Sequence, residues 1–164
     1  MPNAIVVGLN GSETSCQAVL WAAEQSQRTG HRLVVVHAFR VNGISRAGDP
    51  TAEPAAIRTA TESVHRTQAT RWLRDALSGS PAIPYSLRLE VTEGRWQDVI
   101  GRIAADRASL LVLGSSPASR ALANLRLPVV LVPAPVCQEA EADTSMAGLR
   151  PLLLPAQRPS ATPV

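Results

Sequence analysis

A single α/β domain built on an open, doubly wound parallel five-stranded sheet, with helices on both faces, is the fold class this sequence predicts, and three observations predict it. Short β-branched runs alternate with amphipathic helical stretches along residues 1–134. Two of those runs, Leu33-Val34-Val35-Val36 and Leu110-Leu111-Val112-Leu113, are apolar without alternation, as strands covered on both faces are. The chain has 164 residues, 45% apolar and 18% charged, the size and balance of one soluble domain.

The elements follow in order. Ala4-Ile5-Val6-Val7 is the first strand, closed by the turn Gly8-Leu9-Asn10-Gly11. Ser12 stands as N-cap of the first helix, and Glu13 lies at its positive end. Cys16, Val19, Leu20 and Ala23 form that helix's inner stripe, and Gly30 is its C-cap. After the second strand, Pro54 opens a long helix reaching Leu77, with Ile57, Ala60, Val64, Leu73 and Leu77 predicted on its inner face. Gly79 and Pro81 end it. Tyr85, Leu87, Leu89 and Val91 then alternate with Ser86, Arg88, Glu90 and Thr92, the period of a strand with one wet face near a sheet edge. Trp96, Val99, Ile100, Ile103 and Ala104 form the stripe of the third helix. The fourth strand ends at Gly114, a short Ala/Leu helix is predicted around residues 120–126, and Val129-Val130-Leu131-Val132 is the last strand. From Pro133 onward the chain holds six of its thirteen prolines, so residues 135–164 read as a disordered Pro/Ala-rich tail beside the domain at 1–134.

Composition removes several function classes. All sixteen basic residues are Arg, which excludes a phosphate-loop Lys, a Schiff-base Lys and a Lys general base. Aromatic residues are 3% of the chain, too few for a stacking platform, so the net charge of +3 reads as a solvated face and not as a nucleic-acid groove. Cys16 and Cys137 fit neither a CxxC pair nor a zinc spacing and read as free thiols in a reducing cytoplasm. No signal peptide or membrane span is evident, and the expected location is cytoplasmic. Ser12 has no His or acid at an activating spacing, and His37 reads as a hydrogen-bonded histidine at a strand end; no residue is assigned a catalytic or metal-binding role.

In a doubly wound sheet, ligands sit beyond the carboxyl ends of the strands, here at residues 9–12, 37–40 and 114–117. The first of these turns carries a resemblance. Ile5-Val6-Val7-Gly8-Leu9-Asn10-Gly11-Ser12 resembles the opening of the universal stress protein family. Leu33-Val34-Val35-Val36-His37-Ala38, Thr92-Glu93-Gly94, Ser109-Leu110-Leu111-Val112-Leu113-Gly114-Ser115 and Arg126-Leu127-Pro128-Val129-Val130-Leu131-Val132 resemble its later segments, in order, so that the likeness covers residues 4–134. The resemblance implies the strand order 3-2-1-4-5, with the first and fourth strands flanking the cleft. It also implies a test of subgroup, since some members bind ATP through G-x2-G-x9-G-[ST] after the fourth strand. Glycines there let main-chain N–H groups converge on phosphates. Here Gly114 matches the first Gly, but Pro117 and Leu127-Pro128 stand at the other positions, and the segment is roughly a dozen residues shorter than the family pattern.

The acidic residue that contacts the nucleoside in ATP-binding members matches Asn10, which can hydrogen-bond but carries no charge. The expectation is therefore a non-enzymatic stress-response protein that does not grip ATP through the usual loop and needs no cofactor. The alternative is a regulator holding an adenine nucleotide weakly in a remnant site of Asn10, Ala38, Gly114 and Ser115, with Arg side chains replacing lost main-chain donors. The Gly11-Ser12-Glu13-Thr14-Ser15 turn faintly resembles that of adenylate-transferring α/β enzymes, but Glu13 alone is a thin substitute for their metal-binding acid. A homodimer is expected through Val129, Val130, Leu131 and Val132, an apolar edge strand without a charge to block pairing, as the family's habit of joining such strands across a two-fold axis implies; an unidentified protein partner is also expected.

Overall fold

The protein is described by a computed structural model covering residues 3–41, 54–120, 122 and 125–134. Five strands form one all-parallel sheet: β1 (Ala4–Gly8), β2 (Arg32–Phe39), β3 (Leu87–Glu93), β4 (Ala108–Gly114) and β5 (Val129–Val132), in the order β3-β2-β1-β4-β5. The helices are α1 (Glu13–Thr29), α2 (Pro54–Leu77), α3 (Trp96–Arg107) and a single turn, α4 (Pro117–Arg120). The expected topology is the observed one.

The uninterrupted apolar runs are explained by two cores. Val6, Val34 and Leu111 point to one face, where α3 supplies Val99, Ile100 and Ile103. Ile5, Val7, Leu33, Val35 and Val112 point to the other, against Ala18, Val19, Ala22 and Ala23 of α1 and Leu73 of α2. Successive strand residues face opposite sides, so a strand buried on both must be apolar throughout. The alanines on α1 let that helix lie close to the central strands. Its ends are as read: the Ser12 oxygen accepts the Ser15 N–H at 3.3 Å, and Gly30 caps the other end, its N–H donating to the Ser26 carbonyl.

Three expectations fail locally. Ile57 and Val64 of α2 are 49% and 65% exposed and Ala60 is exposed too, so only Ala69 and Leu73 are buried, with Leu77 partly covered. The cause is geometric. By His65 the helix is already level with Phe39, the last residue of β2, and its earlier turns run past the carboxyl edge of the sheet. Tyr85, predicted as the first inward residue of the third strand, precedes β3 and is 72% exposed; Leu87 is also exposed, and the covered positions are Leu89 and Val91. β3 is the edge strand, as its alternation predicted, and its first residues lie beyond the helices. Finally, the short helix lies at Pro117–Arg120 and residues 125–127 form a bend, because Pro117 is well suited to a first helical position. The predicted tail, residues 135–164, lies outside the described residues, and so does Cys137.

Candidate functional site

Where β1 and β4 diverge, their carboxyl ends open into a cleft of about 460 Å³. Gly8, Asn10, Ser12, Thr14 and Ser15 line one wall, from the end of β1 and the first turn of α1. Ala38 and Arg40 come from the end of β2, and Arg95, Trp96 and Gln97 from the start of α3. Gly114, Ser116, Ala118 and Ser119 complete it. Of the predicted remnant residues, Asn10, Ala38 and Gly114 meet here. Ser115 is not among the lining residues, and its N–H donates to the Val132 carbonyl at 2.7 Å.

The wall around Asn10 is organised by its own hydrogen bonds. The Asn10 Oδ1 accepts from the Ser12 N–H at 3.0 Å and the Ser12 hydroxyl at 2.7 Å, and the Ser15 Oγ accepts the Asn10 N–H at 3.3 Å. This side-chain turn consumes the amide oxygen. What Asn10 can still offer a ligand is its Nδ2 donor, the opposite polarity from a carboxylate. Gly11 completes the turn with φ +81°, and a Cβ there would run into the Trp72 ring of α2.

Gly114 has a packing reason of its own. A Cβ at this position would lie 2.6 Å from the Thr14 carbonyl carbon and 2.8 Å from the Ser15 nitrogen, so the bare backbone is what lets α1 begin against β4. Beyond it the chain closes on itself. Ser116 caps α4, accepting the Ser119 N–H at 3.1 Å and sharing a 2.7 Å hydrogen bond with the Ser119 hydroxyl, while the Ser119 Oγ also reaches the Gly114 carbonyl. The Arg120 N–H donates to the Ser116 carbonyl, and Pro117 has no N–H.

Among the described residues no Asp or Glu lines the cleft and no carboxylate pairs with Arg95. With the start of α1 also facing inward, the site favours negative charge. Among the described residues its hydroxyls have no general base beside them: His37, the nearest imidazole to the turn, donates from Nδ1 to the Leu9 carbonyl at 2.9 Å, and its Nε2 is engaged by His65 at 3.1 Å. Burial is the main cause holding the His37 pKa below the ordinary imidazole value, and the neighbouring His65 adds to it while the Leu9 carbonyl opposes it. Burial likewise pushes the Cys16 thiol up, away from a reactive thiolate. Arg40 lies in the predicted turn 37–40, but sequence reasoning missed Arg95 and Trp96. It placed Trp96 only on an apolar stripe, although the start of a helix that follows a strand's carboxyl end was a sufficient signal for Arg95 and Trp96. Among the described residues no group of three His, Cys, Asp or Glu could hold a metal ion, and no helix is long and apolar enough to cross a membrane.

A sequence model described as the universal stress protein family matches residues 1–131. The chain belongs to that family. No curated protein sequence matches it. Among solved structures, a universal stress family protein from Burkholderia pseudomallei is 27% identical, with a TM-score of 0.56, over 81% of this chain and 97% of that one. The universal stress protein UspA from Lactobacillus plantarum has a TM-score of 0.61 at 17% identity, over 80% of this chain and 97% of that one. A universal stress protein in complex with cAMP has a TM-score of 0.53 at 19% identity, over 80% and 97%. The last two likenesses establish the universal stress fold and nothing finer.

Proposed function

We propose that this universal stress protein is a non-enzymatic, cytoplasmic stress-response protein that does not hold a triphosphate through the segment after β4, and that it acts as a homodimer. One observation carries the reading: of the main-chain donors between Ser115 and Arg120, those of Ser115, Ser119 and Arg120 are spent internally and Pro117 has none, which leaves too few to wrap a triphosphate. Ser115 donates to Val132, and Ser119 and Arg120 to Ser116. Gly114 is occupied by the approach of Thr14. Calorimetry with adenosine, AMP and ATP in the presence of magnesium tests this. The expected result is no gain in affinity from the β- and γ-phosphates; ATP binding below about 1 mM with a clear advantage over AMP overturns it.

Support for the dimer lies in β5. Val129 and Leu131 pack on the α3 side and Val132 on the α1 side, while Val130 belongs to neither core, and among the described residues the outer edge of β5 has no partner strand. An apolar edge of this kind invites pairing with a second copy. Light scattering on a sizing column is expected to give a dimer that Val130→Arg converts to a monomer; a monomeric parent protein at micromolar concentration overturns this part.

A second reading is favoured by Arg40 and Arg95. With the Nδ2 of Asn10, these side chains supply donors at the mouth of the cleft, and Trp96 supplies a flat apolar wall. A nucleoside monophosphate or cyclic nucleotide fits that chemistry, and one fold relative is a complex with cAMP. Binding of AMP or cAMP that is lost in Asn10→Arg and weakened in Arg95→Ala would favour it; absence of binding leaves the first reading.

A further inference from the structure

Two of the three histidines in this chain meet far from any position that local sequence spacing links. His37 is the last of five consecutive buried residues of β2, and His65 lies 28 residues on, in α2. Their facing nitrogens, Nε2 of His37 and Nδ1 of His65, are 3.1 Å apart, with ring centroids at 5.3 Å. That combination puts the rings nearly end to end, the geometry of an N–H···N hydrogen bond.

The protons can be assigned by elimination. A carbonyl only accepts, so the His37 Nδ1 must donate to the Leu9 oxygen. The His37 Nε2 is then the acceptor, and His65 must donate through Nδ1. A first added proton goes to the Nε2 of His65, where it strengthens the donor and leaves the bond intact. A second has only the His37 Nε2 to occupy. It would set two N–H groups and two positive charges against each other, on a ring that is 6% exposed.

Among the described residues the surroundings offer this second charge no carboxylate partner. Trp72 of α2 meets His37 edge-on at 5.5 Å, Phe39 stacks on His65 at 4.8 Å, and Val91 is the β3 neighbour of His37. On α2 the nearest charges to His65 in sequence, Glu62 and Arg66, are paired with each other at 2.9 Å, and Glu93 of β3 is paired with Arg58 at 2.9 Å. From the β1–α1 side the contact is the Leu9 carbonyl, and among the described residues no carboxylate hydrogen-bonds either imidazole.

We propose that His37 and His65 form a one-proton latch that ties α2 to the β1–α1 turn, closed while the pair carries at most one extra proton and opened by the second. Opening reaches the cleft because the same helix covers Gly11 with Trp72, and the latch itself holds the carbonyl of Leu9, the residue before Asn10. Acid therefore loosens the wall that carries Asn10. This inference is independent of whether the cleft takes a nucleotide.

The test is a titration of the full chain from about pH 8 to about pH 4.5, following imidazole nitrogens by NMR and amide exchange corrected for its intrinsic rate. His37 should carry its neutral proton on Nδ1 and should titrate below the ordinary imidazole value. Opening of α2 and of residues 9–14 should then rise by up to tenfold per pH unit. In His65→Asn the amide can turn to donate or to accept at the place of Nδ1, so the acid step should flatten and the His37 pKa should rise. The proposal is overturned if neutral His37 is protonated on Nε2, if it titrates at or above the ordinary imidazole value, or if His65→Asn opens with the parent's pH dependence. The first two outcomes are read on the parent protein and do not depend on the variant folding.

Discussion

The two helices that share one face of the sheet, α1 and α2, are held very differently. α1 buries Ala18, Val19, Ala22 and Ala23 over the central strands and is capped at both ends by its own residues. α2 is longer, 24 residues against 17, yet among its described apolar side chains only Ala69 and Leu73 are buried. Length is therefore a poor guide to how firmly a helix is docked. What matters is how much strand lies beneath it, and α2 runs off the carboxyl edge of β2 while α1 stays over β1 and β4. The difference also divides the cleft: its Gly114 side is fixed by backbone contact with α1, whereas its Gly11 side leans on a Trp and a histidine pair supplied by α2.

Two glycine substitutions probe this division most strongly. In Gly114→Ala the new Cβ meets the backbone of Thr14 at 2.6 Å, and the first turn of α1 has to move. We expect a loss of about 3 kcal/mol, the upper range for overpacking a tight site. In Gly11→Ala the obstacle is the Trp72 ring, which α2 can carry away, so the cost should be mostly the left-handed backbone, about 1.5 kcal/mol. Urea denaturation of both variants measures the ratio. Equal losses would mean that α2 is docked as rigidly as α1.

The same division explains what the sequence could reveal. The strands, their order through the family resemblance, and both caps of α1 were legible because each rests on local chemistry: an apolar run, a Ser at the N-cap, a Gly at the C-cap. Ile57, Ala60 and Val64 have the spacing of an inner stripe, but spacing says only which residues share a face, and no sheet lies below them. His65 was invisible for a related reason. Its partner is 28 residues away, and only the register of α2 on β2 brings them together. In the cleft, Asn10, Ala38 and Gly114 were found through the family resemblance at the strand ends, while the commitment of the Asn10 oxygen to Ser12 and the packing of Gly114 on Thr14 needed coordinates.

Acid should separate the two helices next. The folded state holds the His37 pKa below the unfolded value of about 6.5, chiefly through burial. The unfolded chain therefore binds the proton first as pH falls. The stabilisation from neutral His37 is complete above about pH 6.5 and is lost as pH drops through the lower folded value, with a slope of at most about 1.4 kcal/mol per pH unit. Urea midpoints taken at steps from about pH 7.5 downward should fall. In hydrogen exchange α2 should open before α1, which carries no histidine. Simultaneous opening would place the two helices in one cooperative unit.

Smaller effects test the local terms. Ser12→Ala removes the acceptor of the Ser15 N–H and the hydroxyl donor to Asn10, and should cost about 1 kcal/mol, the usual value of an N-cap. The smallest effect is the most discriminating for α2. Val64→Ser exchanges an apolar side chain for a polar one in the middle of a predicted inner stripe. If the stripe met a core, the change would remove buried methyl groups and insert a hydroxyl, at a cost of about 2 kcal/mol or more. With Val64 65% exposed, the change should stay within about 0.5 kcal/mol of zero. A larger loss, reproduced by Ile57→Ser, would mean that something covers this end of α2 in solution, and the contrast with α1 would then belong to the isolated domain alone.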